Sequence, residues 1–506
     1  MFSKRIRLQP AGPDPVRGRA FSPIFLSWTF SSCLLPLRLF FMHVVTIGSS
    51  VSESQGRRLV KGFDFSGHTH ISISPGSPIL SLQQEIEVEL RKLTSEGKKP
   101  ITIIDFCNLK PQSDNFCPVD VHVPDATDFL TLAGKILHVL ERICGVQPIL
   151  LSSFGEREGL AEELRALPDG FDDFILEMPV KISEAAAGGH LQLAAEEISL
   201  LNRKIRSKFA LLSLDPANLR AFQLAKRRTA ELLDDSSDQL QVRDGFDCGE
   251  LTQHFCYQGH EIDDAKPPRL TIFFNGAVDP SVAKGRPVFQ RTSWWSEIHG
   301  SKISIPDPTL SKDETLTTGW AQGSDKHWGT AIQAGVCQAA IDFWRNREGL
   351  KAEEGEVQMY GTSAGGFQAL MAGAFADPQR VIVNNAQFDW LKAAGRTAVK
   401  KTLNLAYSNR DPGTSIRENW LWKVLVPEFY NRVRFAPPID YYLNLSSHID
   451  RTVQWPEFEK FMFSAPGRRY GNGFNLFTYE DATSGHSPLG KESTIQLLNS
   501  SIRNLP

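Results

Sequence analysis

The stretch from Val357 to Trp390, VQMYGTSAGGFQALMAGAFADPQRVIVNNAQFDW, constrains this chain more than any other. It reads as strand, sharp turn, helix, strand. The turn, Gly361-Thr362-Ser363-Ala364-Gly365, has the G-x-S-x-G pattern of a nucleophile elbow, and Gly366 adds one more glycine. A serine lifted out of a strand-to-helix turn sits in a strained backbone conformation. The residues two before and two after it must lack side chains that would collide. The helix begins directly after the serine, so its free N–H groups and the positive end of its dipole face the reacting oxygen. The flanks suit this geometry: an apolar strand at Val357-Gln358-Met359-Tyr360, a small-residue helix over Ala364 to Ala376, and a second strand at Val381-Ile382-Val383-Asn384.

A chain of 506 residues is too long for one core and implies two domains with an additional helical segment. Its 41% hydrophobic and 22% charged residues are those of an ordinary globular protein. A net charge of -3 offers no basic surplus for phosphates, so nucleic acid is not an expected partner. The seven cysteines (33, 107, 117, 144, 248, 256 and 337) are odd in number and scattered, which suits a reducing, cytoplasmic compartment. Residues 1–20 are rich in Arg and Pro, and 21–45 are largely apolar. Pro36 and Arg38 interrupt that run, no small-residue cleavage site follows, and the run merges into His43-Val44-Val45-Thr46-Ile47-Gly48, which looks like a first core strand. The reading is an unstructured or over-called extension over 1–41 with a start at Met42, and membrane association is not expected. A cleaved or anchoring segment is the rival.

From 42 to about 180, short Ile- and Val-rich runs alternate with helical spacing. The strands are HVVTIGSS, HISISP (70–75), ITIIDFCN (101–108) and PILLSS (148–153); the helices are Ser81 to Glu96 and Asp125 to Ile143. This alternation predicts a smaller, Rossmann-like parallel α/β domain. The loop Gly48-Ser49-Ser50-Val51-Ser52 follows the first strand, at the sheet end where such folds bind ligands. Residues 181–238 read as a helical linker broken near Asp215-Pro216 and ending in the polar seam Asp234 to Asp238.

The second domain, 239–506, carries the elbow. An early strand, Arg269 to Phe274, ends in Asn275-Gly276-Ala277. VFQRTSWW (288–295) and SKISIPDPTL (301–310) suggest a further hairpin or strand pair. Thr330 to Arg347 has an apolar stripe at Ile332, Val336, Ala340, Phe343 and Trp344. A serine hydroxyl needs a base to take its proton and an acid to orient that base. Only His448 and His486 follow Ser363, and His486 stands just beyond the strand-like FNLFTYE (474–480), where a last sheet strand would deliver it. Asp450, after IDYYLNL (439–445), is the expected acid; Asp389 is the runner-up, and Asp411 and Asp481 are weaker. Two backbone N–H groups should hold the oxyanion, one from Ala364 and one from Gly276 or Ala277. Cys248, His254, Cys256 and His260 share parity, so one extended strand would put them on one face. A straight strand cannot wrap a tetrahedral ion, however, and neither metal nor cofactor is expected.

Two resemblances add to this. IGSSVSES and IIDFCN resemble the "G-S-C-V-S-R-D" opening and the "I-I-D-F" strand of a family of uncharacterised bacterial domains linked to surface-polysaccharide genes, with Ser50 in place of that family's Cys. The same opening is similar to the first block of SGNH esterases, although no D-x-x-H follows in this half. The region 270–490 resembles a branch of α/β-hydrolase-like bacterial proteins with a "G-x-S-A-G-G-[YF]" elbow, a strand ending near "N-x-Q-x-D" and a terminal "G-H". ISIPDPTL and Gly319-Trp320 also fit it. That branch includes proteins of capsule loci and of the accessory secretion system for glycosylated adhesins, and its acid often lies nearer the strand end than Asp450. The resemblance implies an α/β-hydrolase fold and an esterase or acyltransferase acting on acylated carbohydrate, with polysaccharide- or glycoprotein-assembly partners. A catalytically silent scaffold is one alternative, and a lipase or peptidase the other.

Overall fold

The computed structural model describes residues 210–211, 213–235, 241–260, 266–350, 354–408, 416, 419–471 and 473–502, and shorter runs at 7–8, 24–25, 42–48, 68–72, 86, 88–93, 95–96, 99–105, 149–153 and 175–178. The chain divides into two compact units, Cys33–Leu212 and Ser213–Pro506, the latter together with Met1–Ser32. Within residues 1–41, read above as an unstructured or over-called extension, β1 (Arg7–Leu8) and β2 (Ile24–Phe25) pair antiparallel.

Among the described residues, the unit Cys33–Leu212 contains five strands: β3 (Met42–Gly48), β4 (His68–Ser72), β5 (Lys99–Asp105), β6 (Ile149–Ser153) and β7 (Ile175–Met178). All are parallel, in the order β4-β3-β5-β6-β7, which is the 2-1-3-4-5 order of a doubly wound sheet. Helix occupies part of the first expected helical stretch, where Ile86, Leu90 and Leu93 are buried. The strand β7, with only four residues, carries too short an apolar run to stand out in sequence. The second helix (125–143) and the loop 49–52 lie outside the described residues.

The unit Ser213–Pro506 is built on one eight-stranded sheet. Its strands are β8 (Gln241–Cys248), β9 (Leu251–Gln258), β10 (Arg269–Phe274), β11 (Ser301–Ile305), β12 (Glu356–Thr362), β13 (Arg380–Asn384), β14 (Ile439–Asn444) and β15 (Phe474–Tyr479). Their order is β15-β14-β13-β12-β10-β11-β9-β8. The strands from β10 to β15 run parallel, β9 pairs antiparallel with β11, and β8 and β9 form a hairpin. From β10 the chain steps to β11 on one side and then crosses to β12 on the other. That reversal places the switch point between the carboxyl ends of β10 and β12, where open α/β sheets bind ligands. Phe274 and Gly361 are register partners, so the loop after β10 and the elbow after β12 leave the sheet side by side.

Three expectations need correction. The helix Pro216–Asp234 (α1), assigned above to a linker ending at 238, belongs to this unit. It packs on Gly329–Arg347 (α2): a Cβ on Gly335 would stand 2.3 Å from Phe222 O, and the Asn218 side chain accepts from Trp328 N–H at 2.7 Å. For that reason α2 is buried nearly all round instead of along one stripe. The segment 288–310 supplies one strand, β11, and not a pair, because Thr292–Glu297 winds into a 3-10 turn. The parity set does not share a strand either. The turn at Gly249 puts Cys248 on β8, where its thiol reaches Ala221 O of α1. Cys256 on β9 packs with Phe273 and Trp295, and the His260 ring stacks edge-on to His299.

The last helix, Lys491–Asn499 (α4), docks against the sheet through Ile495 and Leu498. Arg269 and Gln358 donate to Leu498 O at 2.7 and 2.9 Å, and Arg380 donates to Leu497 O at 3.0 Å. The guanidinium of Arg269 also pairs with Glu356, and that of Arg380 with Asp440 at 3.7 Å. Cations at a helix C-terminus satisfy its open carbonyls and oppose its dipole.

Two outcomes are expected. Gly335→Leu overpacks the crossing of α1 on α2 and should lower unfolding stability by about 3 kcal/mol in a denaturant titration. Lys302, only 2% exposed in β11, is lowered by burial from 10.5 to about 8. Between those values the unfolded chain holds a proton that the folded chain has released, so this residue's contribution to stability rises with pH. Lys302→Met should therefore stabilise at pH 7 by a margin that shrinks towards pH 10; an equal margin at both would count against the assignment.

Candidate active site

Gly361 and Gly365 face each other across the turn. A Cβ on Gly361 would come 2.1 Å from Gly365 O, and one on Gly365 would come 2.6 Å from Phe274 O. Gly366 packs as closely on Ala386, at 2.7 Å to its Cβ. No side chain fits at any of the three, which is the steric reason for the glycines. Ser363 between them has φ 53° and ψ -120°, a region a non-glycine residue enters only when its surroundings force it. Its N–H donates to Asn384 O at 3.2 Å, and its C=O accepts from Phe367 and Gln387 N–H at 3.3 and 3.2 Å. The helix Ala364–Ala376 (α3) starts at the next residue.

The structure brings Ser363, His486 and Asp450 together. Ser363 Oγ lies 2.8 Å from His486 Nε2, and His486 Nδ1 lies 2.8 and 3.0 Å from the two oxygens of Asp450. Asp450 has no exposed side-chain surface, whereas His486 remains 38% exposed. Ser447 Oγ donates to Asp450 Oδ2 at 2.5 Å and so satisfies one of the buried carboxyl oxygens. Asp450 opens a π-helical turn, Asp450–Gln454, three residues past Ser447.

The other acidic residues are engaged elsewhere. Asp389 is buried, caps the turn Trp390–Lys392 through Leu391 N–H at 3.1 Å, and pairs with Lys392 at 3.4 Å. Asp481 accepts from Thr483 and Ser484 N–H and shapes the turn ahead of His486. His448 is held by the Thr452 hydroxyl on an exposed turn, and Asp411 lies outside the described residues.

Three asparagines that sequence reasoning passed over hold the histidine loop. Asn385, in left-handed backbone at φ 46°, donates to His486 O and Ser487 O at 3.2 and 3.1 Å. Asn384 Oδ1 accepts from Leu489 N–H at 2.6 Å, and Asn444 donates to Asp481 O and Gly485 O, both at 2.8 Å. The Tyr479 hydroxyl accepts from Asn384 and Asn385 at 3.0 and 3.3 Å; burial pushes this phenol up to about 12, so it stays neutral. The Asn-Asn pair closing β13 was a usable signal, because side-chain amides at strand ends commonly satisfy loop backbone.

Below the elbow, Gln333 donates to Gln368 Oε1 at 2.8 Å, and Gln368 donates to Asn275 O at 3.1 Å and Ala364 O at 3.3 Å. Beside it, Trp320 (φ 52°) donates its indole N–H to Gln387 Oε1 at 2.5 Å. Asp307, which burial pushes up, accepts from Gly319 N–H at 2.8 Å and joins the two segments ISIPDPTL and Gly319-Trp320.

Of the expected oxyanion donors, Ala364 N–H and Ala277 N–H have no acceptor among the described residues, whereas Gly276 N–H donates to Gln290 Oε1 at 2.9 Å. Among the described residues no cluster of three or more His, Cys, Asp or Glu is placed to hold a metal, and no helix is long and apolar enough to cross a membrane.

No protein family and no curated protein sequence matches the chain. Solved structures do. The capsule O-acetyltransferase of Neisseria meningitidis serogroup A matches with 12% identity and a TM-score of 0.35, over 51% of this chain and 94% of that one. The Glycosylation Associate Protein (Gap123) complex from Streptococcus agalactiae matches with 16% identity and a TM-score of 0.35, over 51% of this chain and 45% of that one. The carboxylesterase Cest-2923 from Lactobacillus plantarum matches with 9% identity and a TM-score of 0.31, over 48% and 84%. None of these bears on activity. By its sheet order, the position of its elbow and its last-strand histidine, the C-terminal region is α/β-hydrolase-like.

Proposed function

We propose that this protein is a serine esterase or acyltransferase, working through an acyl-enzyme on an acylated glycan or glycoprotein. The observation that carries the chemistry is the continuous hydrogen-bond chain Ser363–His486–Asp450, with the serine on a strained elbow. Ser363 Oγ attacks the ester carbonyl while His486 Nε2 takes its proton. Asp450, buried against Nδ1, fixes the tautomer and balances the imidazolium. The tetrahedral oxyanion is met by Ala364 N–H and by a second N–H from the loop after β10. His486 then returns the proton to the departing alkoxide. Water or a sugar hydroxyl, deprotonated by the same histidine, releases the acyl group and regenerates Ser363. No cofactor enters these steps.

The glycan direction rests on the elbow-to-histidine motif set of the sequence, which resembles bacterial proteins of capsule and adhesin-glycosylation systems. An acylated carbohydrate is accordingly the proposed substrate, with polysaccharide- or glycoprotein-assembly proteins as partners.

A fluorophosphonate probe should label the wild type and leave Ser363→Ala unlabelled; an unlabelled wild type would leave a silent scaffold as the better reading. Asp450→Asn should lower kcat by about four orders of magnitude with little change in KM, since it presents the wrong tautomer of His486. Asp389→Asn should stay within a few-fold of wild type, and the reverse ranking would move the acid to Asp389. Against acetylated sugars, long-chain esters and peptides, the highest kcat/KM is expected for the sugars. Preference for either of the others would make this a lipase or a peptidase.

A further inference from the structure

We propose that Gln290 is a positioning residue that presents Ala277 N–H as the second oxyanion donor; this rests on the acyl-transfer reading above. The side-chain amide of Gln290 makes two bonds to one short loop. Its Oε1 accepts from Gly276 N–H at 2.9 Å, and its Nε2 donates to Ala277 O at 2.8 Å. Gly276 N–H belongs to the peptide joining residues 275 and 276, and Ala277 O to the one joining 277 and 278. Gln290 thus pins the peptides on either side of the 276–277 unit. That unit carries the Ala277 N–H, which has no acceptor among the described residues. With both neighbours held, it cannot turn without breaking one of the two bonds. A preorganised donor of this kind is what stabilises an oxyanion without reorganisation during reaction.

The clamp is itself fixed against the elbow. Gln290 N–H donates to Asn275 Oδ1 at 3.2 Å, and Asn275 Nδ2 returns to Val288 O. Arg291, in left-handed backbone at φ 66°, places its guanidinium 3.4 Å from Gln290 Oε1 and donates to Thr362 Oγ1 at 2.9 Å. Thr362 precedes the nucleophile, and a Cβ on Gly276 would come 3.3 Å from its carbonyl oxygen. The loop, the clamp and the serine therefore share one frame.

Only a neutral group with an acceptor and a donor side by side can make both bonds. A glutamate at 290 would reproduce them when protonated; ionised, it can accept from Gly276 but cannot donate to Ala277 O. This separates positioning from bulk. Gln290→Leu and Gln290→Glu are to be compared with wild type in ester turnover across pH 5 to 9. The affinity of each for an arylboronic acid, which forms a tetrahedral adduct on serine, and thermal unfolding as a check on fold complete the set. Gln290→Leu should lose about a hundredfold in kcat and a similar factor in boronate affinity, with KM within about twofold. The activity of Gln290→Glu relative to wild type should climb as pH falls, and that of Gln290→Leu should stay flat. A folded Gln290→Leu with kcat within threefold of wild type, or a flat ratio for Gln290→Glu, overturns the proposal. A wild type that neither turns over esters nor binds the boronate brings down the acyl-transfer reading and this one with it; an active wild type indifferent to residue 290 brings down this one alone.

Discussion

Everything at the site depends on the backbone of Ser363 staying in a conformation it would not choose. A positive φ on a residue with a Cβ costs of order 1–3 kcal/mol, and the surroundings must supply that. Here they do so by close contact from three sides: Gly365 against Gly361 and the end of β10, and Gly366 against Ala386. Hydrogen bonds to both the N–H and the C=O of the serine complete the restraint. The strain aims Oγ off the end of the sheet and leaves the first N–H of α3 unpaired. One local constraint therefore sets the direction of the proposed nucleophile and the place of a proposed oxyanion donor together.

The histidine is held by different means. It sits on a loop, and a loop's open carbonyls would usually go to water. Here Asn384, Asn385 and Asn444, from the ends of two neighbouring strands, take up the backbone of 481–489. Asp450 adds a second hold on the ring, with its carboxyl group out of solvent and bonded to Ser447 as well. Ser363 is placed by sterics and His486 by a polar net. The first is written in glycines, the second in amides.

That contrast explains how much of the protein could be read from its residues. Glycines at fixed offsets around Ser363 have one steric meaning, so the elbow and its flanking strands were visible. The position of His486 followed from the strand before it. Asp450 and Asp389 are not separable in sequence, because both follow strands and sequence carries no information on which buried carboxylate meets His486. That Asp389 is spent on Lys392 and on its own cap, and Asp450 on His486, is a tertiary fact. The fate of Pro216–Asp234 was hidden for a similar reason. A helix with charged residues on one face reads as a connector until its partner is known, and here the partner is α2, approached across Gly335. The short strand β11 and the 3-10 turn before it were blurred because both segments are rich in β-formers.

The docking of α4 carries one further consequence. The chain delivers its serine at 363 and both strands beside it by 384, yet the base comes at 486, and the helix that follows it is fastened by Arg269, Gln358 and Arg380 to the opposite end of the sheet. In order of synthesis the elbow segment therefore precedes by 123 residues the histidine that it meets. Closing the Ser363–His486–Asp450 chain must wait for β14, the turn at Asp450 and the loop after β15, so it is a late event in the making of the chain.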